Sequence, residues 1–531
     1  MPKTSALATA LLAAALATTA VAGCSGSNAP GKAVLKLGLQ DPPSTLDPAV
    51  AYNIPAIGVS HLMFNGLVTF DPQAKVVPDL AETWTLSPDG REYRFTLRDG
   101  VRFHDGKPLT SADVKYSLER VLKPATKSPG ASFFRQIEGA PAVIAGSAAH
   151  AGGILTPSPR EVVIRLTAPR PYFLQLLAMG FGAVVPEGQA DAPGFEKHPI
   201  GTGPFVFEQM VTGQRITLRK NPHYFKPEEP KLDGIEIHLG LNEQVETLRF
   251  ERGELDVLGV FRNIGAADYV RLAKDPKWKG QFLEAPDNAV HYLGLNTGMK
   301  PFDDPKVREA VARAIDKTKI VTLLNGRAVP AEGMLPPSLP GFDPADKGYP
   351  YSPDVSRKLL AEAGYPNGFT TPYWTSNSQT VLKVAQQIQQ DLSQVGIKAE
   401  LKPVTFPTLL SAVSRPGNTP MFGGNWSQDY PDPSNFLPTL FHSRQISPTH
   451  AINSTFFQDA MTDQLLDRAD GLPSEAERFA TYREAQARII AQSPVVPLYH
   501  PKNVDLTQPW VKGYRIHPVW PIDPTGLTLS K

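Results

Sequence analysis

Stretches in which polar and apolar residues alternate predict β-strands with one buried face. The clearest is EYRFTL, in which Tyr93, Phe95 and Leu97 alternate with polar residues. Similar alternation, or short apolar runs bounded by turn residues, predicts further strands at 32–39, 161–166, 232–239, 253–260 and 289–297. Strands are therefore expected along most of the chain.

Apolar residues at helical spacing predict helices between many of these strands. In residues 303–321, Val307, Val311 and Ile315 form one apolar stripe, and Pro305 stands in the first turn. Helices are also predicted at 243–252 and 352–365, and each of the segments 380–401 and 475–499 is predicted to contain a helix followed by a strand. Alternation of strands and helices is typical of α/β folds.

Residues 89–122 combine both patterns in DGREYRFTLRDGVRFHDGKPLTSADVKYSLERVL. The Asp-Gly pairs predict turns, and Thr110 with Asp113 predicts a helix N-terminus with a capping box. His104 and Asp105 lie in one of the turns, and no third ligand lies nearby in the sequence. We therefore interpret this pair as structural, in preference to a metal-binding or catalytic pair.

Length and composition narrow the class of protein. A chain of 531 residues exceeds the roughly 250–300 residues at which a single core stops growing, so we expect two or three lobes. The 53 Lys and Arg balance 52 Asp and Glu, which argues against binding to nucleic acid. One cysteine cannot form an intrachain disulfide, and no apolar segment beyond the N-terminal one is long enough to span a bilayer.

The N-terminus has the pattern of an export signal. Lys3 is followed by an apolar run at 6–21 that contains only Ala, Leu, Val and Thr, and then by small residues. Val21-Ala22-Gly23-Cys24 resembles a lipobox, in which cleavage precedes the cysteine and its sulfur receives a lipid. An ordinary signal peptide with an incidental cysteine is the alternative interpretation.

We therefore expect residues 1–23 to be a lipoprotein signal peptide and residues 24–32, which are mostly small and polar, to be a flexible tether. The mature chain is expected to work outside the cytoplasm, anchored to the membrane through lipidated Cys24. It would lie in the periplasmic space or on the outer face of the plasma membrane.

The sequence offers little for catalysis. It has no G-x-S-x-G elbow and no H-E-x-x-H motif, and its 11 histidines are dispersed. Gly201-Thr202-Gly203 lacks the Lys and the spacing of a phosphate-binding loop. We predict no catalytic residues, no metal site and no cofactor.

One segment, GGNWSQDYPDPSNFLPTLFHS at 423–443, suggests binding. Asp429 and Asp432 stand among the aromatic residues Trp426, Tyr430 and Phe436. Aromatic walls around a carboxylate suit a cationic or amine-bearing ligand. The rings could equally fill a core while the acids face water, and composition leaves both interpretations open.

The mature chain resembles the family 5 extracellular solute-binding proteins, the oligopeptide and dipeptide class that serves ABC importers. Its most specific block begins at Phe64 and ends at Leu122. The motifs PIGTGPF, LRKNPHYF, GELDV, LGLNT, PFDDPKVREAVARAIDK and NWSQDYPDPSNFL follow in the order typical of the family.

The resemblance implies a type II periplasmic-binding-protein-like α/β fold, with two hinged lobes that close over a ligand and an inserted extra domain. The expected parts are a discontinuous lobe I at 33–70, 199–287 and 494–531, an inserted lobe II at 71–198, and a lobe III at 288–493.

The resemblance also implies a binding site. In peptide-binding members, the Asp of a W-x-x-D stretch pairs with the α-ammonium of the peptide, and here that position is Asp429, with Trp426 as its aromatic neighbour. Ser427 and Tyr430 belong to the same segment. Tyr52 and Asn53 are expected to line the facing wall of lobe I. Asp432 is expected to face a turn.

The chain departs from the family in how a ligand carboxylate would be held. Dipeptide-specific members carry an Arg before the helix that matches 380–394, where this chain reads YWTSNSQT, and some oligopeptide binders place an Arg where this chain has Gly423. Neither fixed clamp is present, so a longer peptide or another cationic solute is as compatible as a short peptide bound at both ends.

We thus expect a non-enzymatic monomer that delivers an oligopeptide-like solute to an ABC permease. The alternatives are a non-peptide cargo, such as a nickel chelate, a sugar or an opine, and an extracytoplasmic hydrolase or peptidase.

Overall fold

The structure is a computed structural model that describes residues 32–261 and 263–531. Residues 33–531 form one compact unit. The predicted signal peptide, nearly all of the predicted tether and Cys24 lie outside the described residues. Within the described part, no helix combines the length and the apolar character that crossing a membrane requires.

The described residues form twenty strands. Their bounds are β1 Val34–Leu39, β2 Val68–Phe70, β3 Val76–Pro78, β4 Ala81–Leu86, β5 Glu92–Leu97, β6 Ile154–Ser158, β7 Glu161–Arg165, β8 Phe205–Val211, β9 Arg215–Lys220, β10 Gly234–Leu239, β11 Val257–Leu258, β12 Phe282–Pro286, β13 Ala289–Leu295, β14 Ala328–Pro330, β15 Phe369–Ser376, β16 Ile397–Val404, β17 Met421–Ser427, β18 Val495–Thr507, β19 Val511–Lys512 and β20 Thr528–Leu529.

Fourteen α-helices lie between these strands in the same part of the chain. Their bounds are α1 Ile54–His61, α2 Ser111–Leu122, α3 Ala140–Ile144, α4 Phe173–Ala178, α5 Glu243–Glu251, α6 Ala266–Lys274, α7 Pro305–Ala314, α8 Lys317–Leu323, α9 Pro353–Glu362, α10 Gln379–Ser393, α11 Phe406–Val413, α12 Leu437–Phe441, α13 Ala460–Gly471 and α14 Glu475–Gln492.

Most strands belong to one large mixed sheet with the order β16-β15-β17-β13-β18-β11-β1-β10-β9-β8. Strand β18 runs through both halves of it. Its residues up to Pro501 pair with β13 and β14, whereas those from Lys502 onward pair with β12 and β11. The predicted lobe boundary at residue 494 comes before this change of partner.

The two halves of the sheet have separate cores, as expected for two lobes. One core contains Leu37, Ile235 and Ile237, from β1 and β10. The other contains Leu293 from β13 and Ile388 from α10, with residues of α7. All five side chains are fully buried. The predicted alternation of strands and helices therefore yields two α/β lobes that share β18.

A four-stranded antiparallel sheet, β4-β5-β7-β6, forms the extra domain. Tyr93, Phe95 and Leu97 of β5 are buried, as their alternation predicts. The helix α2 packs beside this sheet, and the Asp113 carboxylate accepts a hydrogen bond from the Thr110 backbone N–H at 2.8 Å. This contact is half of the predicted capping box.

An ion pair connects the extra domain to the segment before α1. The Arg120 guanidinium of α2 donates to both carboxylate oxygens of Asp47, at 2.9 and 2.6 Å. Both residues are buried, and Arg120 also donates to Asp191 at 2.9 Å. A bidentate pair of this kind fixes direction as well as distance.

His104 supports the loop that carries the Gly-Thr-Gly motif. Its Nδ1 accepts the Gly201 N–H at 3.2 Å, and its Nε2 contacts the Gly203 carbonyl at 3.1 Å. A Cβ at Gly201 would lie 2.1 Å from the Met63 carbonyl oxygen, so the backbone passes too closely for a side chain. The structural interpretation of His104 agrees with these contacts.

Two predicted elements differ from the structure. The helix predicted over 303–321 is two helices, α7 and α8, because Ile315 is extended and the Asp316 carboxylate accepts the Thr318 N–H as the cap of the second. The strand predicted at 253–260 is confined to Val257–Leu258, next to Gly259 at φ +106°.

The loop after β17 is held by a second buried ion pair. Arg478 of α14 donates from Nη1 to Oδ1 of Asp432 at 2.9 Å and from Nη2 to Oδ2 at 2.5 Å. Asp432 has no exposed surface, and its Oδ1 also accepts the Ser434 N–H. The sequence places Asp432 at a turn, which is correct, but this carboxylate is a structural anchor.

We expect Asp432→Asn to destabilise the fold, because it leaves the Arg478 guanidinium buried without its counter-ion. Loss of one member of a buried pair typically costs about 3–5 kcal/mol. The measurement is urea unfolding followed by circular dichroism. Asp354→Asn is the control, since Asp354 forms an exposed pair with Arg357 that contributes little. Equal unfolding midpoints for the two variants would contradict a stabilising role for this pair.

Candidate functional site

A cavity of about 560 Å³ lies where the two halves of the sheet meet. Its volume falls within the roughly 300–1,000 Å³ typical of small-ligand sites. The lining residues come from seven parts of the chain: the start of α1, the segment after α4, the region around β11, the residues that follow β12, the end of β17, the second half of β18, and the C-terminal segment. The cavity is therefore shared between the lobes and the extra domain.

Asp429 lines this cavity and is held in place by its own loop. Its backbone N–H donates to Oδ1 of Asn435 at 2.7 Å, and Nδ2 of Asn435 donates to Oδ2 of Asp429 at 3.0 Å. Burial raises the pKa of Asp429 above its usual range, and hydrogen bonds from Asn435 and Tyr52 oppose this rise. No described Lys, Arg or His forms an ion pair with this carboxylate.

Tyr52 meets Asp429 from the opposite wall of the cavity. Its hydroxyl donates to Oδ1 of Asp429 at 2.7 Å, and its ring lies 5.7 Å from that of Phe181. Burial and the neighbouring Asp429 raise the pKa of Tyr52, so the hydroxyl stays protonated and remains a donor. The structure thus brings together Asp429 and Tyr52, two residues that lie far apart in the sequence.

Asn53 and Ser427 occupy different positions. The Asn53 Oδ1 caps α1 by accepting the Ala56 N–H at 2.9 Å, and Asn53 lines a neighbouring cavity of about 430 Å³ that also includes Tyr52. Ser427 is exposed and lines the larger cavity beside Asp429. Ser427 is therefore placed to meet a ligand in the larger cavity, whereas the Asn53 side chain serves the helix.

Tyr430 and Trp426, the two aromatic residues of the segment at 423–443 that are expected at the site, are packed elsewhere. Tyr430 is 6% exposed, and its ring stacks on Tyr172 at 5.8 Å in the core of the extra domain. Trp426 is half-buried and packs against the core of the lobe that contains β17. Neither ring lines the 560 Å³ cavity, whose aromatic walls are instead Tyr52, Phe181, Phe261 and Trp520.

Two further acids line the cavity, and sequence reasoning did not single them out. Asp287 follows β12, and burial raises its pKa to about 6, a rise that the Asn503 side chain opposes. Asp505 lies in β18, and burial raises its pKa to about 7, a rise that the Tyr514 hydroxyl opposes. A sequence signal was present for Asp505: in β18, Asn503 and Asp505 alternate with Val504 and Leu506, which places both polar side chains on one face.

The described residues that line the cavity include no Lys and no Arg. The imidazole of His517 is the single lining group that could become cationic, and burial lowers its pKa. At neutral pH the described lining therefore combines neutral polar groups with acids. Among the described residues, no three His, Cys, Asp or Glu side chains come close enough to hold a metal ion.

Cross-lobe hydrogen bonds lie beside these acids. The side-chain amides of Asn288 and Gln428 both donate to the Pro518 carbonyl, at 3.3 and 2.6 Å. Together with the Tyr52–Asp429 contact, they link the walls of the cavity on either side of β18. Separation of the walls would have to break these bonds and also move Tyr430, whose ring packs in the core of the extra domain.

Comparison with known proteins gives a consistent result. The model of the family described as bacterial extracellular solute-binding proteins, family 5 Middle, matches residues 75–448. The chain is 31% identical over 484 residues to the glutathione-binding protein GsiB of Shigella dysenteriae serotype 1 (strain Sd197), covering 90% of each chain.

Solved structures are similar over almost the full length. The periplasmic murein tripeptide-binding protein MppA, in an unliganded open form, superposes with a TM-score of 0.81 at 28% identity, covering 94% of this chain and 98% of MppA. The binding protein DppA of Helicobacter pylori, in complex with the peptide STSA, gives a TM-score of 0.76 at 27% identity, covering 94% and 99%.

These relatives are extracytoplasmic solute-binding proteins of ABC transporters, which are not enzymes. The predicted two-lobed fold, the predicted absence of catalysis and the predicted site of action outside the cytoplasm are confirmed on this basis. The chain belongs to the family 5 bacterial extracellular solute-binding proteins.

Proposed function

We propose that this protein captures a peptide-like solute with a free amino terminus and delivers it to an ABC permease while anchored to the membrane through Cys24. The observation that carries the proposal is Asp429, a carboxylate without a cationic partner among the described residues, on the wall of a cavity between two lobes. Its raised pKa reflects the free-energy cost of burying that charge.

The α-ammonium of a peptide is the group that would offset this cost. It would sit against Oδ1 of Asp429, where it could share the carboxylate with the Tyr52 hydroxyl. Asn435 already saturates the other side of the carboxylate and holds its direction. A pre-oriented acceptor reduces the entropy lost on binding.

The similar proteins support a peptide. Their names refer to glutathione, to a murein tripeptide and to the peptide STSA. Nickel chelates, sugars and opines are the competing cargoes, and the Asp429–Tyr52 arrangement offers nothing specific to them. Mass spectrometry of solutes that remain bound through purification would separate the two classes directly.

Capture would proceed by movement of the lobes about β18 and about the neighbouring connection at residues 287–288, which joins β12 to β13. In the ligand-bound form, the contacts from Tyr52 to Asp429 and from Asn288 and Gln428 to Pro518 would close the cavity. A buried ligand excludes water from the ion pair, which strengthens it.

The first prediction concerns the amine. Asp429→Asn keeps the shape but removes the charge and one acceptor oxygen, so affinity for trialanine, glutathione or the murein tripeptide should fall by about 3–5 kcal/mol, or roughly two to three and a half decades. Isothermal titration calorimetry measures this change. Asp354→Asn, at an exposed position outside the cavity, should leave affinity unchanged.

Acetylated peptides provide the matched ligand test. With the wild-type protein, N-acetyl-trialanine should bind far more weakly than trialanine. With the Asp429→Asn variant, the two peptides should bind with nearly equal affinity. Equal binding of the free and acetylated peptides to wild type would show that Asp429 is not an amine anchor. Failure of every peptide in the panel to bind would overturn the peptide proposal as a whole.

The second prediction concerns closure. Small-angle scattering at a saturating concentration of the peptide that binds best should give a smaller radius of gyration than scattering without peptide. Tyr52→Phe removes the hydrogen bond to Asp429, so its closed form should be less populated at the same occupancy. Identical curves with and without peptide would overturn the hinge mechanism and leave the binding proposal intact.

The third prediction concerns the anchor. Two or more lipid chains hold a protein stably on a membrane, whereas one binds only marginally. Cys24→Ala should therefore move the protein from the membrane fraction to the soluble fraction of the expressing cells, and the wild type should label with a radioactive fatty acid. Retention of the variant on membranes after a high-salt and carbonate wash would place the attachment elsewhere.

A further inference from the structure

Asp505 is the most deeply buried acid of the cavity. It is 5% exposed, and in β18 it alternates with Val504 and Leu506, which are fully buried in the core behind the strand. The carboxylate therefore points to the opposite face, where Asn503 also lines the cavity. Strand geometry alone places both polar side chains on the ligand side.

The partners of Asp505 satisfy only part of its carboxylate. The Tyr514 hydroxyl donates to Oδ2 at 2.6 Å, whereas Oδ1 has no hydrogen-bond donor in the described structure. No described Lys, Arg or His lies within ion-pair distance of Asp505. A charge this deeply buried is costly unless a counter-charge and hydrogen bonds compensate for it.

The backbone at Gly259 leaves room for the Asp505 carboxylate. A Cβ at Gly259 would lie 2.7 Å from Oδ1 of Asp505, and Gly259 has φ +106°, a conformation that other residues rarely adopt. Glycine is thus required at this point for two independent reasons. The acid is built into the wall of the cavity.

Asp287 lies nearby, at the end of β12, the strand that pairs with this part of β18. Its backbone N–H donates to the Pro501 carbonyl at 3.0 Å, which fixes the chain as it leaves the strand. Its carboxylate likewise has no ion-pair partner among the described residues. Asp287, Asp429 and Asp505 therefore line one cavity without a compensating cation on its described wall.

The three acids do not converge on one point, because no group of three metal-ligating side chains exists in the described residues. A single small cation could not compensate all of them. An extended ligand with two separate positive charges could, since one charge would lie near Asp429 and the other near Asp505 and Asp287.

We propose that the preferred ligand carries a second positive charge: a peptide whose amino terminus pairs with Asp429 and whose basic side chain binds against Asp505 and Asp287. This inference rests on the proposed function and adds the class of side chain to it. The ammonium or guanidinium of the side chain would donate to the free Oδ1 of Asp505.

The test compares peptides that differ only in this charge. Lysine or norleucine is placed at the first, second or third position of otherwise identical alanine tripeptides, and each pair is titrated into the wild-type protein in a calorimeter. At one position at least, we expect the lysine peptide to bind about tenfold or more tightly than its norleucine counterpart. Equal affinities at all three positions would overturn the inference.

Variants assign the preference to the two acids. Asp505→Asn and Asp287→Asn should each reduce the preference for lysine over norleucine several-fold, while the loss caused by N-acetylation remains. Asp354→Asn should change neither the preference for lysine over norleucine nor the affinity lost on N-acetylation. Circular dichroism establishes that each variant is folded, and the wild-type comparison stands without any variant.

Proton release gives a second readout. The titratable groups that share the cavity with Asp505 or donate to it are Asp287, Asp429, His517, Tyr52 and Tyr514. A bound cation lowers the pKa of a nearby carboxyl, so binding of the lysine peptide at about pH 6 should release protons. Binding of the norleucine peptide should release fewer protons or take protons up. The number of protons exchanged on binding is measured by repeating the titration in buffers of different ionisation enthalpy.

The outcomes separate the two proposals. If free and acetylated peptides differ in affinity but lysine and norleucine peptides do not, the proposal of the amine anchor stands and the proposal of a second ligand charge is wrong. If no peptide of either set binds, both proposals fail together. A lysine preference that persists in both acid variants would show that other groups recognise the charge.

Discussion

The rest of the structure depends on the pairing of β18. One continuous strand is hydrogen-bonded to β13 and β14 along its first part and to β12 and β11 along its second. Each lobe needs this strand to complete its own sheet, so the two lobes cannot come apart. The cavity opens beside the change of partner, at Asp287, Asn288 and Asn503. The location of the site therefore follows from the topology of the sheet.

The same strand sets the chemistry of the cavity. Because side chains alternate, the residues that hold the core and those that face the ligand are neighbours in sequence: Val504 and Leu506 stabilise the fold, and Asn503 and Asp505 face the cavity. The apolar area buried behind the strand offsets the cost of the acid in front of it. Burial raises the pKa of Asp505 to about 7, and the Tyr514 hydroxyl opposes this rise.

Local patterns predicted local structure well. The alternation around Tyr93, the cap at Thr110 and the apolar stripe of α7 involve residues close in sequence, and the structure has all three. The split between α7 and α8 depends on the Asp316 cap, a signal that was in the sequence but was outweighed by the continuous apolar stripe. Chain length predicted more than one lobe, but the assignment of segments to lobes came from the family resemblance and could not have come from periodicity.

The site was only partly predictable, because burial depends on distant residues. Asp429 could be found from its aromatic neighbours and the W-x-x-D stretch. Tyr430 belongs to the same stretch, yet its ring packs on Tyr172 in the extra domain, a contact between residues far apart in the chain. Asp287 and Asp505 became visible as lining residues of one cavity only through the pairing of β12 with β18.

The three acids of the cavity reach it from three separate segments, each held by its own backbone and hydrogen bonds. Loss or gain of a charge at one of them leaves the supports of the other two in place: Asn435 for Asp429, Tyr514 for Asp505, and the Pro501 carbonyl for the backbone of Asp287. Related solute-binding proteins could therefore diverge in the charge of the ligand they accept through single substitutions, each of which leaves the supports of the other two acids in place. Evolution can then alter the electrostatics of the cavity while the architecture around it stays the same.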